Sequence, residues 1–117
     1  DFSITNFRKD LSYGKKHEKL VMKSRMDYEL KTDRLAHKTG NVFVEFESRG
    51  KASGIATTKA EYWSINLYYN DKFEANITVE TEKLRKMVMV KDKYRRVCGG
   101  DDDTAKGFLV PIVDFFK

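Results

Sequence analysis

The stretch NVFVEFES, residues 41–48, constrains the fold more than any other part of the chain. Its β-branched and aromatic residues alternate as in a β-strand, whose successive side chains point to opposite faces. The valines and Phe46 are expected to line one face, whereas Glu45 and Glu47 share the other with Phe43. Two carboxylates on one face repel each other, so either solvent or a bound cation must stabilise them.

The patterns on either side of this strand predict an α/β fold. In chain order we expect a helix at 10–23, a strand ending at Asp33, a turn around Gly40, the strand above, a loop at 49–56, a helix at 57–69, a strand at 72–80, a short helix at 81–88 and a last strand at about 108–112. The helix at 57–69 is predicted from a Thr58-x-x-Glu61 capping box. This order predicts a single domain over residues 1–117, with a small mixed β-sheet flanked by helices.

The composition favours a polyanionic partner. The chain has 117 residues, a net charge of +5 and 35% charged residues, a balance that suits nucleic acid or an acidic surface. The densest basic region, residues 83–96, includes Arg95 and Arg96 and can be read either as a phosphate-tracking surface or as a solvated one. The single cysteine, Cys98, excludes an internal disulfide. No apolar run is long enough to span a bilayer, and we expect a cytoplasmic protein, in the host cytoplasm if phage-encoded.

Four carboxylates are candidates for one metal site. Glu18 falls within the apolar stripe of the first predicted helix, where a carboxylate must be paired, exposed or part of a site. Asp33 ends a strand that is predicted to form a hairpin with the strand carrying Glu45 and Glu47, so these side chains can meet at one sheet edge. Mg²⁺ or Mn²⁺ would remove their repulsion and needs only two or three carboxylates plus water. A metal held by carboxylates in a basic protein suits phosphodiester hydrolysis.

This arrangement resembles the PD-(D/E)XK nuclease superfamily, and within it the small archaeal and phage Holliday junction resolvases. The resemblance rests on GKKHE (14–18) in the first helix, on Asp33 and on the strand VEFES (44–48), and it covers about residues 10–80. It implies a restriction-endonuclease-like fold, Asp33 and Glu45 as metal ligands, DNA as substrate and a possible homodimer. Glu47 would hold the metal or position water, and Glu18 would complete the cluster.

The chain departs from the superfamily at Glu47, which occupies the lysine position of the Glu-x-Lys motif and gives Glu-x-Glu. Lysine normally supplies positive charge to the transition state. Lys59, in the first turn of the predicted helix at 57–69, is our first candidate for a migrated replacement, and Lys51 is the second. Arg49, directly after the acidic strand, is placed to contact a phosphate.

Two other functions fit the same sequence. A non-catalytic nucleic-acid-binding domain would keep the fold and use its basic face, including Lys51, Arg95 and Arg96, with strong salt dependence and no need for metal. A small protein-interaction module would carry the carboxylates as ordinary surface residues. Metal binding distinguishes the nuclease from both, because only clustered carboxylates are expected to bind Mn²⁺ appreciably.

Overall fold

The computed structural model describes residues 27–117, which form a mixed α/β fold of seven strands in two sheets with few helices. The helix predicted at 10–23, and Glu18 with it, lie outside the described residues. Within the described residues, no helix has the length and apolar character needed to cross a membrane.

The elements alternate between strands and short helical turns. In chain order they are β1 (Tyr28–Asp33), α1 (Ala36–Thr39), β2 (Asn41–Ser48), β3 (Lys51–Ala52), β4 (Tyr62–Tyr69), β5 (Lys72–Glu80), α2 (Thr81–Val88), β6 (Arg95–Gly99) and β7 (Ala105–Pro111), with 3₁₀ turns at Gly54–Ala56, Asp101–Asp103 and Ile112–Phe116. The first sheet has the order β1-β4-β5, with β1 parallel and β5 antiparallel to β4. The second has the order β3-β2-β7-β6 and is antiparallel throughout.

One hydrophobic core joins the two sheets. Val44 of β2 and Trp63 of β4 are both fully buried in it, and α2 contributes Leu84 and Val88. Thr81, Leu84 and Val88 are spaced three and four residues apart, so they lie along one face of α2. Each large apolar side chain buried here stabilises the fold by about 2 kcal/mol.

The predicted helix at 57–69 is wrong, because its second half is β4. In the sequence YWSINLYY, Trp63 and Ile65 are two residues apart, so they face the same side of the sheet, where both are at most 1% exposed. Aromatic and β-branched residues fit a pleated surface better than a helix. The Thr58 hydroxyl caps no helix; it accepts a hydrogen bond from the amide of Ala60, and Lys59 lies in a loop.

The predicted hairpin between β1 and β2 is also wrong. β1 pairs with β4, and β2 pairs with β7 and β3, so the two predicted partners belong to different sheets. The predicted turn between them contains the four-residue helix α1, which ends at Gly40 with a φ of 74°. That left-handed backbone favours glycine. β2, β5 and α2 are confirmed close to their predicted bounds, whereas β6 was not predicted.

Candidate active site

β1 carries three charged residues on its sheltered face. Glu29, Lys31 and Asp33 alternate along the strand, and all three are partly buried, whereas the residues between them are exposed. In the parallel register with β4, Glu29 lies opposite Trp63 and Lys31 opposite Ile65, both of which are buried. Paired residues point to the same side of a sheet. The charged residues of β1 therefore stand at the margin of the core.

Glu29 and Lys31 form an ion pair on this face. Nζ of Lys31 lies 3.5 Å from Oε2 of Glu29, and each side chain is about one third exposed. The same ammonium lies 5.5 Å from the centre of the Trp63 ring, within range of a cation–π contact. The neighbouring carboxylate and indole restrict the positions that the lysine can adopt.

A short loop between β3 and β4 connects Glu29 to Glu45 of β2. The Ser53 hydroxyl donates a hydrogen bond of 2.6 Å to Oε2 of Glu45, and the Thr58 hydroxyl donates one of 2.8 Å to Oε1 of Glu29. Gly54 makes this approach feasible: a Cβ added there would lie 2.2 Å from the carbonyl oxygen of Glu45. Only glycine allows the loop to lie so close to β2.

Arg85 of α2 fixes the same loop from behind. Its Nε donates to the carbonyl of Ile55 at 3.0 Å, and its Nη2 donates to the carbonyl of Thr58 at 2.9 Å. Its Nη1 is paired with Glu82, three residues earlier in the helix. Because a guanidinium is planar, these bonds fix the loop in one orientation. The buried side chain of Ile55 anchors it to the core.

Lys31, Asp33 and Glu45 line one cleft, which we call the Lys31 cleft. It has a volume of about 480 Å³ and is closed on the far side by the end of β6, around Cys98 and Gly99. The predicted proximity of Asp33 and Glu45 therefore has a structural basis, although no hairpin joins them. Lysine 31, which we did not single out from the sequence, stands in the same cleft.

Asp33 also has a structural role. Its Oδ1 accepts hydrogen bonds from the amides of Leu35 and Ala36, both at 2.9 Å, and its Oδ2 accepts one from the amide of Phe43 at 3.1 Å. These bonds satisfy the start of α1 and join β1 to the edge of β2. Three of its roughly four acceptor positions are thus occupied by the backbone.

Glu47 points away from the Lys31 cleft. Glu45 pairs with Gly107 and Glu47 with Lys106, and the bulge between them leaves Phe46 as an extra residue in β2. The bulge shifts the register by one, so the two glutamates do not share a face as predicted. Glu47 instead pairs with Nζ of Lys106 at 3.5 Å.

The remaining predicted site residues are spread over the surface. Lys59 is exposed in the loop before β4, Lys51 is exposed in β3, and Arg49 is exposed in the turn before it. None of them lines the Lys31 cleft. Arg95 and Arg96 are exposed on β6.

The donors in the cleft fit a hard cation bound mainly through water. Among residues 27–117, no group of three or more His, Cys, Asp or Glu side chains is placed to hold a metal. Mg²⁺, however, is commonly bound through only one or two carboxylates. Oε1 of Glu45 accepts no hydrogen bond from another described residue, and Asp33 keeps one acceptor position. Both oxygens are therefore suitable ligands.

The sequence contained a signal for the residues that we missed. Glu29-Leu30-Lys31 is itself a Glu-x-Lys triplet, one strand earlier than the Glu-x-Glu of β2. Ser53, Thr58 and Arg85 carry no comparable signal, because only the folded loop brings them to the two glutamates. No family model, curated protein or solved structure matches the chain.

Proposed function

We propose that the Lys31 cleft is the active site of a metal-dependent endonuclease that hydrolyses phosphodiester bonds in DNA, on a restriction-endonuclease-like fold. The observation that carries the proposal is the Glu29-x-Lys31 pair, whose lysine lines the same cleft as Glu45. The superfamily that the chain resembles uses a Glu-x-Lys strand, and β1 supplies one where β2 does not. The net charge of +5 favours the same substrate.

Each residue of the cleft has a role in this reaction. A bound Mg²⁺ or Mn²⁺ would supply an attacking water of lowered pKa and would neutralise charge on the phosphate. Glu45 would hold the metal through its free oxygen, and Asp33 would add its remaining acceptor position. The Lys31 ammonium would stabilise the negative charge that grows on the phosphate oxygens. Lys59 and Glu47 have no role in this proposal.

Glu29 and the loop position these groups. Glu29 holds Lys31 at the cleft, and its second oxygen is oriented by Thr58. Ser53 orients Glu45 in the same way and leaves one carboxylate oxygen that would be available to a bound metal. Partners of this kind fix the rotamers of reacting groups, and removing one commonly lowers activity by about one or two orders of magnitude.

The test compares two lysines in one cleavage assay. The wild type, Lys31→Met and Lys59→Met are incubated with supercoiled plasmid and with a four-way junction, with Mg²⁺ or Mn²⁺. We expect Lys31→Met to lower the rate by about 10²–10³-fold, because a group that stabilises transition-state charge is lost. Lys59→Met, which changes an exposed loop lysine, is expected to cut like the wild type.

Thermal melting accompanies this assay, so that a folding defect is not mistaken for a catalytic one. Equal cutting by Lys31→Met and the wild type would contradict the assignment of the lysine. Absence of metal-dependent cutting in the wild type on both substrates would contradict the endonuclease.

A second candidate function is a nucleic-acid-binding domain without catalysis. The observation that favours it is the use of Asp33, whose oxygens accept three backbone amides and therefore serve the fold. This candidate predicts that the protein binds both DNA substrates but cuts neither, and that EDTA has no effect on the binding. Metal-dependent cutting would exclude it.

A further inference from the structure

Strand β6 forms one edge of the second sheet and carries cations into solvent. Among residues 27–117 it pairs only with β7, and both Arg95 and Arg96 are exposed. Lys91 and Lys93 precede them in an exposed turn, where Asp92 is the only acidic residue between 86 and 100. The charge along this edge suits the phosphates of a nucleic-acid backbone.

Arg96 lies over a pair of aromatic rings. Its guanidinium carbon is 5.7 Å from the centre of the Phe46 ring and 5.7 Å from that of Phe108. The two ring centres are 4.7 Å apart, with an angle of 37° between the planes. The two contacts of Arg96 hold its guanidinium against the apolar rings of Phe46 and Phe108. A guanidinium fixed in this way presents a flat, cationic surface on which a nucleobase can stack.

Beside this platform lies a groove of about 810 Å³, which we call the β6 groove. One wall is formed by the residues after α2, where Met89 is 74% exposed and Val90 is 53% exposed. The other wall carries Arg95, Arg96 and Phe108. Phosphates alone would require only cations. Exposed apolar side chains interleaved with cations suit a nucleic-acid strand that presents both its bases and its phosphates.

The β6 groove and the Lys31 cleft lie on opposite faces of the second sheet, because Arg96 pairs with Phe108 whereas Glu45 and Val97 both pair with Gly107. A smaller cleft of about 400 Å³ shares Arg96 with the groove, and it shares Val97 and Cys98 with the Lys31 cleft. Lys106 lines this intermediate cleft. A nucleic-acid strand bound in the groove would therefore cross the edge of β6 between Arg96 and Cys98 to reach the Lys31 cleft.

We propose that the β6 groove binds a single-stranded segment of the nucleic-acid substrate, with bases on the Arg96 platform and phosphates on the neighbouring cations. The proposal rests on the proposed function, since it describes how that substrate reaches the cleft. Unpaired bases are required because a duplex keeps its base faces stacked inside and offers only phosphates and groove edges to such a platform. The substrate class is thus DNA with an unpaired segment, such as a flap, a gap or the opened arms of a branch.

The test measures binding without any divalent metal, so it is independent of cutting. Fluorescence anisotropy in EDTA compares a labelled single-stranded oligonucleotide with a duplex of the same length, for the wild type and for Arg96→Ala, Arg96→Lys and Lys72→Ala. We expect Arg96→Ala to weaken single-strand binding about tenfold and duplex binding less, because stacking is lost. Arg96→Lys is expected to keep the salt dependence but not the affinity.

Lys72→Ala is the matched control, because it removes one exposed cation from β5, away from the groove. Equal weakening by Lys72→Ala and Arg96→Ala would overturn the proposal, as would equal effects on single strand and duplex. The two proposals fail separately. If the wild type prefers single strands but cuts no DNA, only the endonuclease proposal is overturned. If the wild type cuts DNA but Arg96→Ala does not change binding, only the proposal for the β6 groove is overturned.

Discussion

The carboxylates of the Lys31 cleft are fixed by hydrogen bonds, whereas Arg96 of the β6 groove is exposed and lies against aromatic rings. Asp33 accepts three backbone amides, and Glu45 is bonded to Ser53. Among the described residues, by contrast, none of the ion pairs includes Arg95 or Arg96. Reacting groups must be held within a fraction of an ångström of their working positions, but phosphates on a flexible strand can be bound by adaptable charges. We therefore expect changes in the cleft to affect stability as well as activity, and changes in the groove to affect binding alone.

The largest effect on the cleft is expected from Gly54→Ala. The added Cβ would lie 2.2 Å from the carbonyl oxygen of Glu45, at a φ of +54°. Overpacking and backbone strain together should cost about 3–4 kcal/mol in the free energy of unfolding, measured by urea denaturation. Gly50→Ala is the control: its φ is +79°, but nothing lies within 4 Å, so the strain alone should cost about 1–2 kcal/mol. Equal losses would show that the loop can move away from Glu45.

The second-largest loss of stability is expected from Asp33→Asn. The substitution removes the charge that strengthens three hydrogen bonds to backbone amides, at an expected cost of about 2 kcal/mol. Asp71→Asn is the control, because its carboxylate is 93% exposed and pairs with Arg34 only at 3.7 Å; an exposed pair contributes less than about 1 kcal/mol. Calorimetry of both variants makes the comparison. A stable Asp33→Asn protein would mean that these bonds contribute little to the fold.

Arg85→Lys tests whether the loop is held from behind. Lysine cannot make the two bonds to the carbonyls of Ile55 and Thr58 in the same plane, so we expect a loss of about 1 kcal/mol. Amide hydrogen exchange should quicken in residues 53–58, where the effect is local. Lys86→Arg, at the next and exposed position of α2, should leave exchange unchanged. Unchanged exchange in Arg85→Lys would remove Arg85 from the positioning of the site.

The smallest effect is expected in the pH dependence of stability, through Tyr94, which lines the β6 groove. The Tyr94 hydroxyl donates a hydrogen bond of 2.8 Å to Oδ2 of Asp114. Burial, with this bond and the neighbouring carboxylate, raises the pKa of Tyr94 from 10.0 to about 12. A phenol with a raised pKa stabilises the fold fully below pH 10, and this contribution is lost as the pH rises from about 10 to 12. The free energy of unfolding of Tyr94→Phe should fall less over that pH range than that of the wild type. Identical pH profiles of the two proteins would contradict the assignment.

The sequence predicts the elements of this protein better than their partners. β2 and β5 alternate clearly, and α2 has a three-and-four apolar spacing, so local patterns were enough to find them. The region before β4 misled because Thr58-x-x-Glu61 imitates a helix start, although the eight residues that follow are mostly aromatic or β-branched. The parallel pairing of β1 with β4 depends on contacts 34 residues apart, which no local pattern reports.

The site was predictable to the same extent. Asp33 and Glu45 were identified from their residue types and strand positions, and Lys31 could have been found from the Glu-x-Lys triplet in β1. The roles of Ser53, Thr58 and Arg85 depend on how the loop folds back, which hydrophobic periodicity does not encode. The bulge at Phe46 was also hidden, so the sequence alone suggested one acidic face where the structure has two separate ones.

That single extra residue allows one strand to serve two parts of the molecule. On one side of Phe46 the strand places Glu45 in the Lys31 cleft, and on the other it places Glu47 in the smaller cleft that Arg96 also lines. Removing Phe46 would leave a regular strand in which the two glutamates are consecutive and still point to opposite faces, and it would also remove a ring from beneath Arg96. A change at Phe46 is therefore expected to alter the surroundings of Glu45 and the aromatic support of Arg96 together.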